Sequence, residues 1–600
     1  MDMLEFPFEA QMIMRKRKKI KKELLGKNKF IEKNIAILGG STTSDVREIL
    51  ELFLLNHGIK PVFYESEYAQ YWQDAMFDNE ALKKLHPDII YIHTSIRNIT
   101  DFPEPSDSES EINRKIECQY EHFRVMWEKL ARTYNCPIIQ NNFEYPFFRL
   151  MGNQDASNIH GRVYFINRLN MKFYEYAQTT INFYINDINY QSADYGLSKW
   201  SDPFFWHMYK YCCCLDAIPY LTFNIANIIK SLFGKNKKAV AVDLDNTLWG
   251  GIVGDDGIEQ LEIGQETPVG QAYAAFQEYL RQLQKQGILL NVISKNDEEN
   301  ALAGMAHPQM LLKKDDFIAI KANWEPKSAN LLQMAAELAL LPESFVFVDD
   351  NPAEREIVRQ QVNGAGIPQL DQVEHYIYAI DRAGYFEATM LSADDLKRNI
   401  MYKENMKRVQ LQQSFVNYTE YLLSLDMKAE IRPFERMYMS RIAQLTNKSN
   451  QFNLTTKRYT QEELEAAAAD QDKYITLYGR LEDCFGDNGI VSIVIGEIKE
   501  NSLDMILWLM SCRVLRRDME YAMMDELAGI CQRKGITGIR GYYYPTSKNR
   551  MVKDFYGRQG FDLVSEDEDG NTVWRTDIDE KYVKKNNVIK VNGGDKNEQK

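Results

Sequence analysis

A short apolar run that ends in two aspartates constrains the fold of this chain more than any other feature. The run Val240–Val242 has the composition of a strand buried on both faces, and Asp243, Asp245 and Thr247 follow it. Residues two apart on an extended backbone point the same way. One carboxylate can then attack phosphorus while the other serves as general acid and base. The spacing therefore predicts a parallel sheet with a phosphoryl-transfer site at its edge.

Further segments of the same region supply polar groups at or beside strand ends. They are Ser294 after the run 288–293, Lys327, and Asp349 and Asp350 after the run 345–348. The carboxyl ends of the strands of a doubly wound sheet converge on one crevice, so we expect these groups to meet. A phosphate anion approaches a carboxylate only where cations neutralise the charge, and Mg²⁺ suits carboxylates together with phosphate oxygens. We therefore expect Mg²⁺ and Lys327 in this crevice.

This order of motifs resembles the haloacid dehalogenase (HAD) superfamily. The resemblance implies that Asp243 forms an aspartyl phosphate and that Asp245 acts as general acid and base. It also implies that Ser294 and Lys327 bind phosphate, and Thr247 is a further catalytic candidate. The implied metal ligands are drawn from Asp243, Asp245, Asp349 and Asp350. Which of Asp349 and Asp350 binds the metal stays open.

The chain offers no room for a cap domain over this site. Between Trp249 and Gly287 it can hold only a glycine-rich flap, Gly250–Gly257, and one helix, Pro268–Gln286. A cap excludes water from small-molecule sites. An open site instead suits a macromolecular substrate, or a lid contributed by a neighbouring domain.

Longer blocks are similar to the capless HAD-IIIC subgroup and specifically to FkbH-like proteins. These blocks are Thr247–Gly251, Val348–Arg355, Gln444–Thr456, Phe485–Gly489 and Ser511–Leu515. The resemblance implies a phosphorylated acyl substrate such as 1,3-bisphosphoglycerate. It also implies that a glyceryl unit is loaded onto the thiol of an acyl carrier protein while the HAD site removes phosphate.

Glyceryl transfer is expected to use a cysteine, because a thioester exchanges readily onto a pantetheine thiol. The resemblance places such a cysteine in or near the first motif and its flap, where this chain has Leu244 and Val253. The remaining candidates for the acyl site are Cys484 and Cys512. Inert packing is the alternative for both of them.

Strands that alternate with helices predict a multidomain α/β chain. We expect an SGNH-like α/β domain, a capless HAD domain with a Rossmann-like parallel sheet, and a C-terminal GNAT-like α+β domain. The expected boundaries are a basic N-terminal segment at 1–30, the SGNH-like domain at 31–232, the HAD-like phosphatase domain at 233–380, a helical linker at 381–425, the GNAT-like acyltransferase domain at 426–583 and a disordered tail at 584–600.

Both flanking domains resemble enzymes whose own motifs are incomplete here. Asn549 and Tyr556 match the helix on which GNAT-like proteins carry an acid tyrosine, but Arg513–Asp518 replaces the glycine-rich pyrophosphate loop. The arginines of that segment can still meet a carrier phosphate. Ser41 stands where an SGNH hydrolase has its nucleophile, yet the usual Asp-x-x-His block is absent. We therefore expect Ser41 to cap the following helix.

Composition restricts the partners. The formal net charge is −14 and the basic segment Arg15–Lys22 is expected to be a solvated helix face, so we expect no nucleic-acid binding. No apolar run approaches the roughly 20 residues that span a bilayer. The eight cysteines, with Cys212–Cys214 consecutive, fit neither a disulfide framework nor a zinc site. We expect this trio to pack as small apolar residues and the protein to be cytoplasmic.

The leading hypothesis is an enzyme. It is a Mg²⁺-dependent HAD-type phosphatase or phosphotransferase that acts on a phosphorylated acyl group during acyl loading. One alternative is an N-acyltransferase of a biosynthetic cluster with an auxiliary HAD domain. The other is a non-catalytic scaffold for a carrier-linked pathway.

Overall fold

The computed structural model describes residues 2–26, 30–448, 451–546, 548–579 and 582–592. The chain forms two compact units. One extends to Leu232 and includes Arg382–Thr389, and the other contains Phe233–Asp381 and the chain from Met390 onward. Among the described helices, none combines the length and apolar character needed to cross a membrane.

The first unit is built on a five-stranded parallel sheet with strand order β2-β1-β3-β4-β5. Its strands are β1 (Ile31–Gly39), β2 (Ile59–Glu65), β3 (Ile89–His93), β4 (Ile138–Asn141) and β5 (Phe183–Asn186). Its helices are α1 (Ala10–Leu25), α2 (Ser44–Asn56), α3 (Tyr71–Met76), α4 (Glu80–Leu85), α5 (Glu109–Tyr134), α6 (Arg162–Thr179), α7 (Ile188–Tyr195), α8 (Leu197–Trp200), α9 (Pro203–Tyr209) and α10 (Ile218–Leu232). Strand β3 is buried throughout, as its apolar run predicts.

The basic segment lies within α1, which packs as part of the first unit. Ile13 and Ile20 are buried, whereas Arg17 and Lys21 form ion pairs with carboxylates on α2 at 2.7 Å each. The segment is therefore one charged face of a packed helix. The described part of residues 1–30 is therefore packed within the first unit and does not form a separate segment.

The second unit begins with a four-stranded parallel sheet of order β8-β7-β6-β9. Its strands are β6 (Ala239–Val242), β7 (Leu289–Ser294), β8 (Ala319–Ala322) and β9 (Phe345–Val348). The accompanying helices are α11 (Val253–Asp256), α12 (Pro268–Lys285), α13 (Glu298–Met305), α14 (Lys327–Glu337), α15 (Pro352–Gln361) and α16 (Tyr376–Arg382). Only the four-residue α11 and short turns separate β6 from α12, so no cap domain is inserted there.

The C-terminal part forms an eight-stranded mixed sheet of order β15-β16-β14-β13-β12-β11-β10-β17. Its strands are β10 (Lys428–Arg432), β11 (Tyr474–Asp483), β12 (Gly486–Lys499), β13 (Ser502–Met510), β14 (Gly538–Tyr543), β15 (Asp562–Glu566), β16 (Thr572–Asp577) and β17 (Lys590–Asn592). The helices from residue 393 on are α17 (Ala393–Leu396), α18 (Arg398–Gln413), α19 (Tyr418–Ser424), α20 (Met439–Lys448), α21 (Gln461–Ala469), α22 (Met519–Arg533) and α23 (Phe555–Arg558). The multidomain α/β prediction is confirmed.

The prediction of a disordered tail is wrong for residues 584–592. Strand β17 pairs with β10, and the backbone N–H of Lys585 donates to both carboxylate oxygens of Asp525 at 3.0 Å. A polar composition does not prevent order where backbone groups find buried partners. Residues 593–600 lie outside the described residues.

Helix α18 is anchored both on helix α12 and on strand β11 of the second unit. Asn399 donates to the carbonyl oxygen of Gln284 on α12 at 2.7 Å. Arg408 forms two hydrogen bonds to Asp483 at 2.8 and 2.7 Å, and Arg517 donates to the same carboxylate at 3.1 Å. All three charged side chains are almost fully buried. The segment predicted as a linker is therefore a packed element.

Replacement of Asp483 by alanine leaves two buried guanidinium groups without their carboxylate. We expect Asp483→Ala to lower the free energy of unfolding by about 3–5 kcal/mol. The matched control is Asp487→Ala, because Asp487 pairs with Arg480 at the surface, where such pairs contribute about 0–1 kcal/mol. Denaturant unfolding measures both variants, and equal losses would contradict the assignment.

Candidate active site

Asp243 is the first residue after β6 and is almost fully buried. Its backbone N–H donates to the carbonyl oxygen of Val348 at 2.9 Å, which extends the pairing of β6 with β9 by one residue. One carboxylate oxygen, Oδ2, lies 2.8 Å from Nζ of Lys327. The other, Oδ1, is buried and has no hydrogen-bond partner among the described residues. That oxygen is the one available to a metal ion or a phosphoryl group.

Lys327 connects Asp243 to Asp349. Its Nζ donates to Oδ2 of Asp349 at 2.6 Å, and its side chain is 4% exposed. Burial alone lowers the pKa of Lys327, but the two carboxylates raise it above its ordinary value. Burial raises the pKa of Asp349 to about 6, and the charge of Asp243 acts in the same direction. The ammonium group therefore stays charged where it faces negative groups.

Three carboxylates fit a divalent cation. Oxygen atoms of Asp243, Asp349 and Asp350 all lie within 4.8 Å of one another. Hard oxygen ligands of this kind suit Mg²⁺, and Oδ1 of Asp243 is buried without a hydrogen-bond partner among the described residues. Asp245 does not belong to the cluster, so the structure does not place its carboxylate with the other predicted metal ligands.

Asp349 and Asp350 differ in what their oxygens contact. Both oxygens of Asp349 are engaged, one by Lys327 and the other by the backbone N–H of Asn351 at 2.9 Å. Asp350 accepts one hydrogen bond at Oδ1, from the hydroxyl of Thr247 at 3.3 Å, and the described residues give its Oδ2 no partner. Asp350 is therefore the better placed of the two as a metal ligand.

Asp245 is held by three donors. Trp249 Nε1 and the backbone N–H of Val253 donate to Oδ1 at 2.9 and 3.1 Å, and Asn296 donates to Oδ2 at 3.0 Å. Burial raises the pKa of Asp245 despite these bonds, and the charge of Asp243 adds to the effect. A fixed carboxyl group with a raised pKa suits a general acid and base. Sequence reasoning missed these donors, although Trp249 belongs to the unusual block after Thr247.

The turn after β6 is fixed by groups from distant helices. Asn246 adopts a left-handed backbone conformation with φ of 55°. Its carbonyl oxygen accepts hydrogen bonds from the hydroxyls of Tyr273 at 3.3 Å and Tyr376 at 3.2 Å. Arg355 similarly donates to the carbonyl oxygens of Asp349 and Asp350 at 2.6 and 2.7 Å. These contacts hold both acidic turns in position.

Ser294 is the last residue of β7 and is buried beside β6. Its carbonyl oxygen accepts from Asn323 at 3.1 Å, in the loop that leads to Lys327. The structure thus brings the predicted strand-end residues Asp243, Ser294, Asp349 and Asp350 to one edge of the sheet. Their catalytic roles stay predictions.

The positions at which a motif cysteine was expected hold packed side chains. Leu244 and Val253 are both buried in the described structure. Cys484 is exposed, and desolvation together with the neighbouring Asp483 raises the pKa of its thiol. A raised pKa lowers the thiolate fraction, so Cys484 is poorly suited to acyl capture. The side chain of Cys512 lies outside the described residues.

Asn549 and Tyr556 are interior residues of the C-terminal part. Asn549 donates to the carbonyl oxygens of Asn453 and Tyr544 at 3.0 and 2.9 Å. Tyr556 is fully buried against Gly541, and burial raises its pKa well above the ordinary value. Both side chains therefore serve packing in this conformation, and neither is open to a substrate.

A chain segment fills the gap between strands β13 and β14. The two strands pair in parallel only as far as Met505 and Gly541. Beyond that point Phe452–Leu454 lies between them, because the N–H of Leu454 donates to Trp508 and its carbonyl oxygen accepts from Tyr544, at 3.1 and 2.9 Å. The protein's own backbone thus occupies the hydrogen-bonding groups on both strands to which an extended ligand would bind.

Ser41 does not cap α2, which corrects the sequence prediction. The residue before α2 is Thr43, and it makes no capping hydrogen bond. Ser41 is instead buried after β1, and its hydroxyl oxygen has no hydrogen-bond partner among the described residues. No Asp–His pair reaches this hydroxyl in the described structure, so the serine is not activated as in an SGNH hydrolase.

Two comparisons with known proteins found similarity, the first of them within the first unit. A family model described as "FkbH, N-terminal domain" matches residues 34–230. The structure is similar to that of the N-terminal part of protein BF1531 from Bacteroides fragilis, which contains a phosphatase domain and is complexed with Mg. Sequence identity is 27% and the TM-score is 0.58, with 62% of this chain and 99% of that chain covered.

Acetyltransferase structures align with a quarter of the chain. The ribosomal-protein-S18-alanine N-acetyltransferase from Escherichia coli is 11% identical, with a TM-score of 0.20, and covers 25% of this chain and 94% of its own. A GNAT-family acetyltransferase from Streptococcus pneumoniae is 18% identical, with a TM-score of 0.22, and covers 25% and 100%. No curated protein matches the chain significantly.

The different surroundings of the two adjacent acids give a direct test of metal binding. We expect Asp350→Asn to weaken Mg²⁺ binding by at least about tenfold, since loss even of an outer-shell partner costs about 10–100-fold. Asp245→Asn is the matched control and should bind Mg²⁺ like the unmodified chain. Titration calorimetry measures the affinities. A loss confined to Asp349→Asn would assign the ion to the other acid.

Proposed function

We propose that this protein is a Mg²⁺-dependent phosphatase or phosphotransferase of the HAD type that works through an aspartyl phosphate on Asp243. The observation that carries the proposal is the buried group of Asp243, Asp349 and Asp350, with Lys327 bonded to two of them. Magnesium is the expected ion, in agreement with the complex of the Bacteroides fragilis phosphatase domain.

Phosphoryl transfer to Asp243 is the first step. Oδ1 of Asp243 attacks phosphorus, a P–O bond forms, and the bond from phosphorus to the leaving oxygen breaks. Lys327 neutralises charge on the nucleophile's side of the site. Asp245 gives a proton to a leaving group that needs one. When bound by Asp243 and Asp350, Mg²⁺ supplies the charge neutralisation that lets two anions meet.

Hydrolysis of the aspartyl phosphate is the second step. Asp245 takes a proton from water while the water oxygen attacks phosphorus, and the bond to Asp243 breaks to release inorganic phosphate. The three donors around Asp245 hold its carboxylate for both steps. A phosphotransferase differs only in the acceptor that replaces water.

The finer part of the proposal concerns the substrate. An acyl phosphate such as 1,3-bisphosphoglycerate is the proposed phosphate donor, and an acyl carrier protein is the proposed recipient of the acyl group. The short flap supports this choice, because only α11 and turns separate β6 from α12 in the chain. Without a cap, substrates attached to a macromolecule can reach Asp243.

A cavity in the second unit is suited to the phosphate of a carrier arm. Its lining has six Lys and Arg residues, among them Lys235, Arg441 and Arg513, three acids, and apolar side chains that include Phe452 and Met510. An excess of cations beside apolar side chains matches a phosphate joined to a pantetheine chain. Carrier binding in this cavity does not require the gap between β13 and β14, which Phe452–Leu454 fills. The filled gap also weighs against the N-acyltransferase alternative.

Loss of the nucleophile is the first test of the proposed reaction. We expect Asp243→Asn to reduce release of phosphate from acetyl phosphate with Mg²⁺ by at least about 1,000-fold. Asp255→Asn, an exposed flap aspartate, is the control and should keep full activity. Retention of activity by the Asp243 variant would exclude the aspartyl-phosphate mechanism. Equal inactivity of both proteins under all conditions would favour the scaffold alternative.

Asp245→Asn should separate the two steps. A departing carboxylate has a low pKa, near 4, and needs little protonation, so acetyl phosphate should still phosphorylate Asp243. Water attack then lacks its base and should slow by about 100- to 10,000-fold. Intact-mass measurement should therefore show a phosphorylated chain that Asp243→Asn abolishes. Rapid turnover without a trapped phosphoenzyme would contradict the role of Asp245.

Acyl loading has its own experiment. The chain, Mg²⁺, 1,3-bisphosphoglycerate and a pantetheinylated acyl carrier protein are mixed, and the carrier mass is measured. We expect a glyceryl adduct on the pantetheinylated carrier and none on the carrier without its arm. Arg513→Ala should reduce loading by about tenfold or more, whereas exposed Arg516→Ala should not. Phosphate release with a carrier of unchanged mass would show that the chain is a phosphatase that does not load the carrier.

A further inference from the structure

The carboxyl edge of the sheet in the first unit carries its own group of polar side chains. Ser41 follows β1, His93 ends β3 and Asn141 ends β4. Cys212 reaches the same edge from the loop between α9 and α10. All four side chains are buried. Buried polar groups are costly unless they bond to one another or to a ligand.

Cys212 and His93 form a hydrogen-bonded pair. The thiol Sγ lies 3.2 Å from Nε2 of His93. The other ring nitrogen, Nδ1, lies 2.8 Å from the hydroxyl of Tyr91, which in turn donates to Oδ1 of Asn141 at 3.1 Å. The amide nitrogen Nδ2 of Asn141 also lies 3.3 Å from Nδ1. In the tautomer whose ring proton is on Nδ1 and is donated to Tyr91, Nε2 can accept the proton of the thiol. A nucleophile, a base and an orienting group are thus arranged in sequence.

The surroundings favour the thiolate of Cys212. Its pKa is held well below the ordinary value by a hydrogen bond from Cys213, against the effect of burial, and the charge of His93 acts in the same direction. Burial raises the pKa of the facing Glu144 to about 8, so this carboxyl group is largely uncharged at neutral pH. Burial likewise raises the pKa of Tyr91. Arg97 is the cation that faces this group.

Ser41 supplies an observation that packing does not explain. Its hydroxyl interacts with Cys212, yet it makes no hydrogen bond of normal geometry within the described residues. A buried hydroxyl beside a thiolate, without a hydrogen bond of normal geometry, can rotate to donate to a further atom. The oxygen of a carbonyl group attacked by Cys212 is such an atom.

The segment next to the pair is lightly attached. Helix α9 has no buried residue, and Phe204 and Met208 on it are each 60% exposed. Its end is tied to Thr42, which donates to the carbonyl oxygens of Tyr209 and Lys210 at 2.6 and 3.0 Å. Apolar side chains therefore lie on the chain segment that leads to Cys212. They suit an uncharged acyl group better than a charged metabolite.

We propose that Cys212 is a nucleophile, with His93 as its base, that accepts an acyl group from an activated ester or thioester. The proposal rests on the first unit alone and does not depend on the function proposed for the second. Nothing in the geometry asks for a metal, because no third ligand from a His, Cys, Asp or Glu joins the pair among the described residues.

The transfer balances with these groups and an acyl acceptor. The thiolate sulfur attacks the carbonyl carbon, and a carbon–sulfur bond forms. The bond to the leaving oxygen or sulfur breaks, and this atom takes the proton that His93 received from the thiol. In the second half, water or an acceptor thiol gives its proton to His93 and attacks the thioester. Cys212 leaves as the thiolate, and the acyl group passes to the acceptor.

The first experiment uses the full chain and p-nitrophenyl acetate as an activated ester. We expect an acetyl group on Cys212, located by peptide mapping, together with a burst of nitrophenol. Cys212→Ala should abolish the adduct, and Cys214→Ala, whose thiol donates to the hydroxyl of Tyr195, is the matched control that should retain most of it. Asp243→Asn should leave acylation unchanged, which separates this proposal from the phosphatase. An adduct confined to exposed Cys118 or Cys484 would overturn it.

A second readout distinguishes a reactive pair from a structural one. Alkylation of Cys212 by iodoacetamide should persist to lower pH than alkylation of an ordinary thiol, since its pKa is lowered. Exposed Cys484, whose pKa is raised, should instead react faster as pH increases. His93→Gln should slow Cys212 at pH 6 by about tenfold or more and restore the pH dependence of an ordinary thiol. Equal rates in both proteins would refute the role of His93.

Folding controls keep this test decisive. Thermal unfolding of His93→Gln and Cys212→Ser should match that of the unmodified chain. If Cys212→Ala does not fold, peptide mapping of the acylated unmodified chain still decides the site. A chain that folds normally and forms no acyl adduct at Cys212 would overturn the proposal.

Discussion

The ammonium group of Lys327 is the interaction on which the site of the second unit depends. It lies 2.8 Å from Asp243 and 2.6 Å from Asp349, and all three side chains are buried. Buried carboxylates close to one another repel and tend to take up protons. The lysine offsets part of this repulsion, which favours the deprotonated carboxylates that nucleophilic attack and metal binding both require. Lys327 is the first residue of α14, so the helix fixes its backbone and holds its charge in this position.

The same edge of the sheet gives two nearby aspartates different roles. Asp243 is bonded to the lysine, whereas Asp245 is bonded to Trp249, Val253 and Asn296. Neutral donors do not hold a carboxyl group in the ionised form as strongly as a cation does. One acid is therefore suited to attack and the other to proton transfer. The flap takes part directly, because the N–H of Val253 is one of the donors.

The sequence predicts features that depend on residues close together in the chain. Apolar runs predict the strands of both parallel sheets. The position of Asp243, Ser294 and Asp350 at or just after strand ends predicts that they lie at one crevice. Contacts between distant segments have no such signal. Cys212 and His93 are 119 positions apart, and the segment Phe452–Leu454 pairs with two strands that follow it in the chain. The order of residues 584–592 likewise depends on Asp525, which composition does not reveal.

Each of the two parallel sheets has a proposed nucleophile at its carboxyl edge, and the groups around the two nucleophiles differ. The nucleophile proposed for the second unit is the carboxylate of Asp243, so its site needs fixed cations to let an anion approach. Cys212 needs a base, because an ordinary thiol is mostly protonated near pH 7, and His93 supplies one that also returns the proton. We expect the first arrangement to favour phosphate and the second, where the facing Glu144 is largely uncharged, to favour carbonyl groups. The proposed phosphoryl and acyl chemistry thus follow from the charged groups at each edge.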